Sequence, residues 1–418
     1  MVTTQGDERG SEKPDKKHTL VRKMNGNVSD QLNTNAASTT QGVVLMLAAV
    51  LPVMAVVSLV PVLPLLLQEF ADVEGSEFLV PIAITVPALC VAIFSPLAGW
   101  ISDRVGRKNL LLGAFIAYAA IGVLPYFLAD LRHIIASRVF LGVAEATIMT
   151  VATALIGDYF DGERREKWVA IQVGVASISA IILIAIGGIL GETLGSRGPF
   201  LLYLLALPIM LVSAIVLFEP AVHEDTEFAH LEGFPFRQVL PLIAITLGVS
   251  LLFYTIIVKL GPILMLTTVV TPALIGAAGA AANMGHVGGA ILFGRFKSAS
   301  GPTLLTAGLA LAASGYFGLS LSGSLYVSIA SVVCASLGVG IMLPTLLAWT
   351  MGILPPVFRG RGTGIWTGTF FLGQFFAPII AVPLEGAFGG LDSLLAVYGG
   401  LALIGAVLAF IVARKQGH

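Results

Sequence analysis

The chain has 418 residues, of which 56% are hydrophobic and only 11% are charged, and its formal net charge is −1. Soluble domains carry roughly 25% charged residues, so this composition excludes an ordinary water-soluble fold and indicates a surface that faces lipid. The balanced charge excludes a strongly basic nucleic-acid-binding protein, and we expect no nucleic-acid partner. Cys90 and Cys334 both lie inside apolar runs, so they indicate neither a disulfide framework nor a metal site. We expect no cofactor.

The first forty residues differ from the rest of the chain. They are rich in Asp, Glu, Lys, Ser and Asn, and we predict that residues 1–40 form a disordered cytosolic tail. This stretch lacks the apolar core and cleavage site of a signal peptide. The first apolar run begins near Val43 and is long enough to stay in the membrane.

Twelve apolar runs follow, each near the roughly 20 residues that a spanning helix needs. They predict an all-α membrane protein in a lipid bilayer. The predicted spans, numbered 1 to 12, cover residues 43–67, 79–99, 110–129, 135–157, 168–190, 199–218, 239–268, 273–293, 303–322, 325–353, 363–388 and 393–413.

The distribution of Lys and Arg predicts the orientation of these spans. Basic residues concentrate in the N-terminal tail, after the even-numbered spans and at the C-terminus, whereas the stretch after span 1 holds only acidic charges, Glu69, Asp72, Glu74 and Glu77. Because basic loops stay in the cytosol, we expect both termini to be cytosolic, in a multi-pass monomer of the cell (inner) membrane.

The basic segments also repeat between the two halves of the chain. The segment 294–297 follows span 8 as the segment 99–108 follows span 2, and the segment 359–362 answers 163–166 at the same offset. Such a parallel repeat is typical of rocking secondary transporters. We therefore predict two six-helix halves related by pseudo-twofold symmetry, residues 41–218 and 239–413, with a linker at 219–238 and a tail at 414–418.

Residues 99–108 read Gly-Trp-Ile-Ser-Asp-Arg-Val-Gly-Arg-Lys. This segment resembles the signature G-x-L-x-D-R-x-G-R-K of the major facilitator superfamily, with Ile101 in place of the leucine. We interpret it as a tight charged hairpin between spans 2 and 3. The resemblance implies the family's twelve-helix fold and a gate at the cytosolic end. The alternative is a topology signal only. The gating residues would be Gly99, Asp103, Arg104, Gly106, Arg107 and Lys108.

Two further motifs bear on the branch of the family. Arg138 and Gly142 are spaced as in the family's fourth-helix motif Arg-x-x-x-Gly. The drug:proton antiporters often carry Gly-Pro-x-x-Gly-Gly in the fifth helix. Here Gly187 and Gly188 are present, but Leu183 and Ile184 replace the Gly-Pro pair. The chain is therefore most similar to the drug:proton antiporter branch, without its kink proline.

Two titratable residues inside the spans are candidates for proton coupling. Glu145 lies mid-way along span 4, where a carboxylate is costly unless it is paired or protonated. Its alternative role is a structural ion pair with Arg138, which lies on the same helix face. His286 in span 8 could relay a proton, or it could be a hydrogen-bonded packing residue.

Four polar residues are candidates for substrate binding. Arg138 and Lys259 would attract an anionic group, and Lys259 could instead pair with Glu145 or extend to the outer interface. Asn283 and Gln374 could hydrogen-bond a ligand or join helices. Five aromatic residues of span 11 could line a lipophilic cavity or simply pack against lipid: Trp366, Phe370, Phe371, Phe375 and Phe376.

The predicted function is secondary active transport, with proton-coupled efflux of small lipophilic or drug-like solutes by alternating access. The alternative within transport is uptake or exchange of a metabolite or organic anion. A non-transporting membrane sensor would need a larger soluble module than this chain offers. No nucleotide-binding loop, metal cluster or nucleophile elbow is visible in the sequence, so we expect that the protein is not an enzyme.

Overall fold

A computed structural model describes residues 38–220, 234–296, 298–355 and 358–416 of the chain. Most of the predicted tail 1–40, most of the linker 219–238, Lys297 and the last two residues lie outside the described residues. The predicted all-α fold is confirmed. Within the described ranges, twelve helical segments correspond in order to the twelve predicted spans, and we name them α1 to α12 after those spans.

Nine of these segments are single helices, and three, α1, α6 and α7, consist of consecutive shorter helices. α1 is Thr39–Val57, continued beyond a 3₁₀ turn (Val60–Val62) by Leu63–Glu69; α6 is a 3₁₀ turn (Gly198–Leu205) followed by Ala206–Val216; α7 is Phe236–Val258 followed by Leu260–Met265. The remaining helices are α2 Ser76–Val105, α3 Arg107–Val123, α4 Leu131–Tyr159, α5 Gly162–Leu194, α8 Pro272–Arg295, α9 Gly301–Ser320, α10 Leu325–Ile353, α11 Arg359–Ala387 and α12 Leu391–Gln416.

Eleven of the twelve are long and apolar enough to cross a membrane. The exception is α8, which is as long as its neighbours but is rich in Gly and carries Asn283 and His286. It packs against α5 and α10, so protein rather than lipid surrounds much of its polar face. The chain is an integral, multi-pass membrane protein.

The segment 99–108 forms the predicted tight hairpin between α2 and α3, but nearly all of it is helical rather than loop. α2 continues through Asp103 and Arg104 to Val105, and α3 begins at Arg107. Only Gly106 lies between them, with a φ of +97° that a side chain would disfavour. The turn is therefore one residue long, and the charges lie on the ends of two helices. At the C-terminus, α12 likewise continues into the predicted tail as far as Gln416.

The bundle has two ends, which we name after their turns. At the Gly106 end, α2 turns into α3; at the Gly195 end, α5 turns into α6 through Gly195, which has a φ of +75°. Each even-numbered helix finishes at the Gly106 end and each odd-numbered one at the Gly195 end, because every helix crosses the bundle once.

Each half has its own apolar core, and the two cores meet toward the Gly195 end. Val258 of α7 packs into the core of the first half, whereas Val60 and Ile184 of the first half pack into the core of the second. One close approach of the two halves is between α5 and α8. A Cβ atom on Gly188 would lie 2.7 Å from the carbonyl oxygen of Pro272, so glycine at this position allows the two halves to touch.

Candidate functional site

Arg138 lies in the first half and is almost fully buried, with 1% of its surface exposed. Its Nε donates to the carbonyl oxygen of Ala83 on α2 at 3.0 Å, and its Nη2 donates to that of Ala55 on α1 at 2.5 Å. Its Nη1 donates to the hydroxyl of Tyr203 at 2.6 Å. Each of the three nitrogens thus has a protein acceptor, and the guanidinium ties α4 to three other segments.

The sequence explains why those two carbonyl groups accept from a side chain. The residue four positions after Ala83 is Pro87, which has no N–H to donate. Ala55 loses its helical donor because the N–H of Leu59 bonds to the Val56 carbonyl at the break in α1. Buried carbonyl groups without a partner are costly, so Arg138 satisfies acceptors that helix breaks have exposed.

Glu145 lies two turns further along α4 and is 2% exposed. Its Oε2 is buried and has no hydrogen-bond partner among the described residues. No ion pair joins Glu145 to Arg138 in the part of the chain that the structure describes, although the two interact electrostatically at longer range. Glu145 also interacts electrostatically with Tyr254 of α7. The carboxyl therefore lies within electrostatic reach of the second half, and its Oε2 is free of hydrogen bonds to the part of the chain that the structure describes.

A cluster of aromatic rings in the second half includes Tyr254, the residue with which Glu145 interacts. We call it the aromatic cluster; it comprises Phe253, Tyr254, His286, Trp366 and Phe370, from α7, α8 and α11. The Tyr254 and Phe370 rings are 5.2 Å apart, His286 and Phe253 are 5.1 Å apart, and Trp366 lies parallel to Phe370 at 6.0 Å. The Nδ1 of His286 and the Nε1 of Trp366 are buried without a hydrogen-bond partner among the described residues. Unpartnered polar atoms of this kind are free to bind a ligand.

The structure places the other residues predicted to bind substrate or line the cavity in several different positions. Asn283 is buried and donates through Nδ2 to the Gly279 carbonyl of its own helix at 2.9 Å. Gln374 is buried on α11, one turn beyond Phe370. Of the remaining aromatic residues in α11, Phe375 and Phe376 pack on each other, and Phe376 is exposed.

Lys259 lies at the Gly195 end and pairs with a residue that the sequence did not single out. Its Nζ is 2.5 Å from the Oε2 of Glu385 on α11. Its ion-pair partner is therefore Glu385 and not Glu145. The pair borders a cavity of about 420 Å³ between the two halves, and this cavity is separate from the aromatic cluster.

The residues of the family signature are tied to other parts of the first half. The Nη2 of Arg107 is 2.9 Å from Asp103, and its Nη1 bonds to Asp158 at the end of α4. The backbone N–H groups of Arg107 and Lys108 donate to the carboxylate of Glu219, at 2.5 and 3.0 Å. This carboxylate compensates the positive N-terminus of α3.

Three of the gating candidates also make side-chain or close packing contacts nearby. Arg104 stacks over the Trp100 ring at 3.7 Å, and Lys108 donates to the Ala214 carbonyl at 2.9 Å. A Cβ atom on Gly99 would lie 3.6 Å from Thr150 of α4. The signature residues therefore form hydrogen bonds and ion pairs that hold α2, α3, α4 and the end of α6 together at the Gly106 end.

Sequence reasoning missed Tyr203, Tyr254, Asp158, Glu219 and Glu385 as partners. Two signals were available for some of them. Asp158 and Glu219 are carboxylates at the ends of spans 4 and 6, on the same side of the membrane as the basic signature. Glu385 is the one carboxylate in the predicted span 11. Nothing in the helical pattern pointed to the tyrosines, because their partners are on other helices.

Solved structures share this fold. A D-xylose-proton symporter aligns with 89% of this chain and 97% of its own chain, with a TM-score of 0.74 and 15% sequence identity. At this identity the likeness concerns the fold alone.

Curated relatives align with shorter stretches. Tetracycline resistance protein, class H, from Pasteurella multocida is 27% identical over 176 residues, which are 42% of this chain and 44% of that protein. Tetracycline resistance protein, class B, from Escherichia coli is 32% identical over 153 residues, 36% of this chain and 37% of that protein. The chain thus matches less than half the length of either relative.

The profile of the Major Facilitator Superfamily matches residues 45–258, just over half of the chain. This match covers the signature at 99–108 and the Arg138–Gly142 motif, and it confirms the resemblance inferred from them. The chain belongs to the Major Facilitator Superfamily, a family of secondary membrane transporters and not of enzymes.

Proposed function

We propose that this protein exports small lipophilic or drug-like solutes in exchange for protons, by alternating access. The observation that carries this proposal is that the Glu145 carboxyl is buried and lacks a hydrogen bond to its Oε2 within the described residues. It interacts electrostatically with Tyr254 of the second half. The nearby Arg138 donates to three other acceptors. A group of this kind can take up and release a proton as its surroundings change. Two of the curated relatives are named for tetracycline resistance, which supports the same branch.

The aromatic cluster is the proposed contact surface for the solute. It combines apolar ring faces with two polar nitrogen atoms, those of His286 and Trp366. Pockets for small organic molecules commonly combine apolar walls with a few polar groups of this kind. Gln374 and Asn283, which lie on the same two helices, α11 and α8, are proposed as further contacts.

Uptake or exchange of an organic anion receives less support. Such a carrier would use Arg138 and Lys259 as ligands for the anion. The nitrogens of Arg138 already donate to three protein acceptors, and Lys259 is paired with Glu385. Binding an anion at either residue would require breaking those contacts first.

The coupling role is tested in proteoliposomes with an imposed pH gradient, against a panel of lipophilic dyes and metabolites. We expect gradient-driven transport of at least one dye by the native protein. Glu145→Gln should bind that dye and lose the response to the gradient, because the amide cannot release a proton. The matched control is Glu163→Gln, at an exposed carboxylate in the first turn of α5. Full gradient-driven transport by Glu145→Gln would exclude the coupling role.

For the signature we propose a gating role at the cytosolic face, with both termini in the cytosol of a monomer. Gly99, Asp103, Arg104, Gly106, Arg107 and Lys108 form or flank the bonds that hold the Gly106 end of the first half together. Asp103→Asn weakens the bond to Arg107, so we expect slower transport by a protein that still inserts normally. Unchanged initial rates of transport for correctly inserted Asp103→Asn would remove the gating role.

A further inference from the structure

The cavity at the Gly195 end is lined by both halves of the protein. Its volume is about 420 Å³, within the range of roughly 300–1,000 Å³ that is usual for small-molecule sites. The first half contributes the apolar side chains of Leu63 and Leu67, and the second contributes Val258 and Val382. Val382 lies three helical turns beyond Phe370 on α11, so this cavity is distinct from the aromatic cluster.

Three charged side chains border this apolar space. Lys259 and Glu385 pair at 2.5 Å, and both belong to the second half. Glu77 faces them from α2 in the first half, and it forms no ion pair with any residue that the structure describes. Two carboxylates and one ammonium leave a net charge of −1 at the wall of the cavity. A cation is therefore the favoured occupant, because it would compensate the charge of Glu77.

The charge of the whole Gly195 end also favours a cation. Within the described ranges, carboxylates outnumber bases there, whereas bases outnumber carboxylates at the Gly106 end. A field of this sign raises the local concentration of cations near the cavity. The carboxylates of the Gly195 end are Glu69, Asp72, Glu74, Glu77, Asp130, Glu192, Glu385 and Asp392, and its bases are Arg132, Arg197 and Lys259.

We propose that this cavity is a second ligand site, which binds an organic monocation with an apolar body. The cationic group lies between Glu77 and Glu385, and the apolar body contacts the leucine and valine side chains. The ion pair of Lys259 with Glu385 sets the affinity, because it withdraws one of the two carboxylates from the ligand. The proposal concerns binding alone and does not depend on proton coupling or on the direction of transport.

The test uses the full chain in nanodiscs of zwitterionic lipid and the probe benzyltrimethylammonium, with binding measured by isothermal titration calorimetry. N,N-dimethylbenzamide, an uncharged molecule of similar size, is the control ligand. We expect the native protein to bind the cation and not the amide. Glu77→Gln should weaken cation binding roughly fivefold, the effect of one unit charge at about 8 Å in a partly wet site.

Two substitutions within the ion pair should have opposite effects. Lys259→Met frees Glu385 and should tighten binding of the cation by roughly fivefold. Glu385→Gln leaves Lys259 unpaired and should weaken it. General damage to the fold cannot produce a gain in one variant and a loss in the other. Glu145→Gln should leave the affinity unchanged.

Three results would overturn the proposal. The first is no binding of benzyltrimethylammonium by the native protein. The second is unchanged or weaker binding by Lys259→Met. The third is binding that Glu145→Gln abolishes and Glu77→Gln does not, which would assign the cation to the aromatic cluster. The last result would leave the proposed export function standing, so failure of the two proposals can be told apart.

Discussion

Each half of the molecule contains a buried polar site, and the two sites differ in whether their nitrogen atoms have partners. In the first half, Arg138 is buried with a protein acceptor for each nitrogen. In the second half, His286 and Trp366 each bury a nitrogen atom without a described partner, among aromatic rings. Satisfied buried networks make a structure rigid, and unsatisfied groups are available to a ligand. We therefore call Arg138 and its hydrogen-bond partners the fixed frame, and we infer that the aromatic cluster is an adaptable binding surface. Glu145 lies on the helix of Arg138 and interacts with Tyr254 of the cluster.

The largest expected effect comes from removing the arginine of the fixed frame. Arg138→Met leaves the Ala83 carbonyl buried without a donor and removes one of two donors from Ala55. We expect a loss of roughly 2–4 kcal/mol in the free energy of unfolding. Thermal unfolding in detergent measures it, with Arg132→Met as the matched control because Arg132 is exposed on the same helix. Equal midpoints for the two variants would contradict a structural role for Arg138.

An intermediate effect is expected at the contact between the halves. Gly188→Ala places a methyl group against the Pro272 carbonyl, at a cost of roughly 1–3 kcal/mol. This cost applies only while the halves touch there, so the variant should favour arrangements in which they separate. Electron–electron distance measurements between spin labels on α5 and α8, in a background without Cys90 and Cys334, detect the change.

The control for that contact is Gly174→Ala on the same helix, where a Cβ atom would meet open space. We expect its distance distribution to match that of the native protein. A distribution that is unchanged in Gly188→Ala would mean that the α5–α8 contact does not set the arrangement of the halves.

The smallest effect on stability is expected in the aromatic cluster. His286→Leu removes a buried nitrogen that has no described partner, so the unfolding free energy should change by less than about 0.5 kcal/mol. Transport of the solute should nevertheless slow, because a polar contact for the ligand is lost. A fall in stability as large as that of Arg138→Met would remove the distinction between the two halves.

The sequence was sufficient to predict the twelve helices, because length and apolarity decide which segments cross a membrane. Even α8, which is too polar to satisfy those criteria in the structure, was predicted as an apolar run of nearly the required length. Glu145 could be singled out because a carboxyl in the middle of an apolar run is conspicuous. Length, apolarity and a charge within an apolar run can each be recognised from a single segment, without knowing which segments are neighbours.

The partners of the site residues could not be predicted in the same way. Lys259 pairs with Glu385, 126 positions away, and periodicity along a helix does not identify which helices are neighbours. The signature forms the tight hairpin that we predicted, but the extent of its helices could not be predicted for a related reason. Its charges indicated exposure to water, but a helix end provides that exposure as well as a loop does, and Gly106 alone makes the turn.

The bond between Arg138 and the Ala83 carbonyl has a consequence for how this chain can evolve. The carbonyl needs the arginine because Pro87 supplies no N–H. Replacing the proline by alanine would return a donor to α2 and make the arginine partly redundant, so the cost of losing both residues should be smaller than the sum of the separate costs. The proline and the arginine, 51 positions apart on different helices, should therefore be inherited as a unit and substituted together.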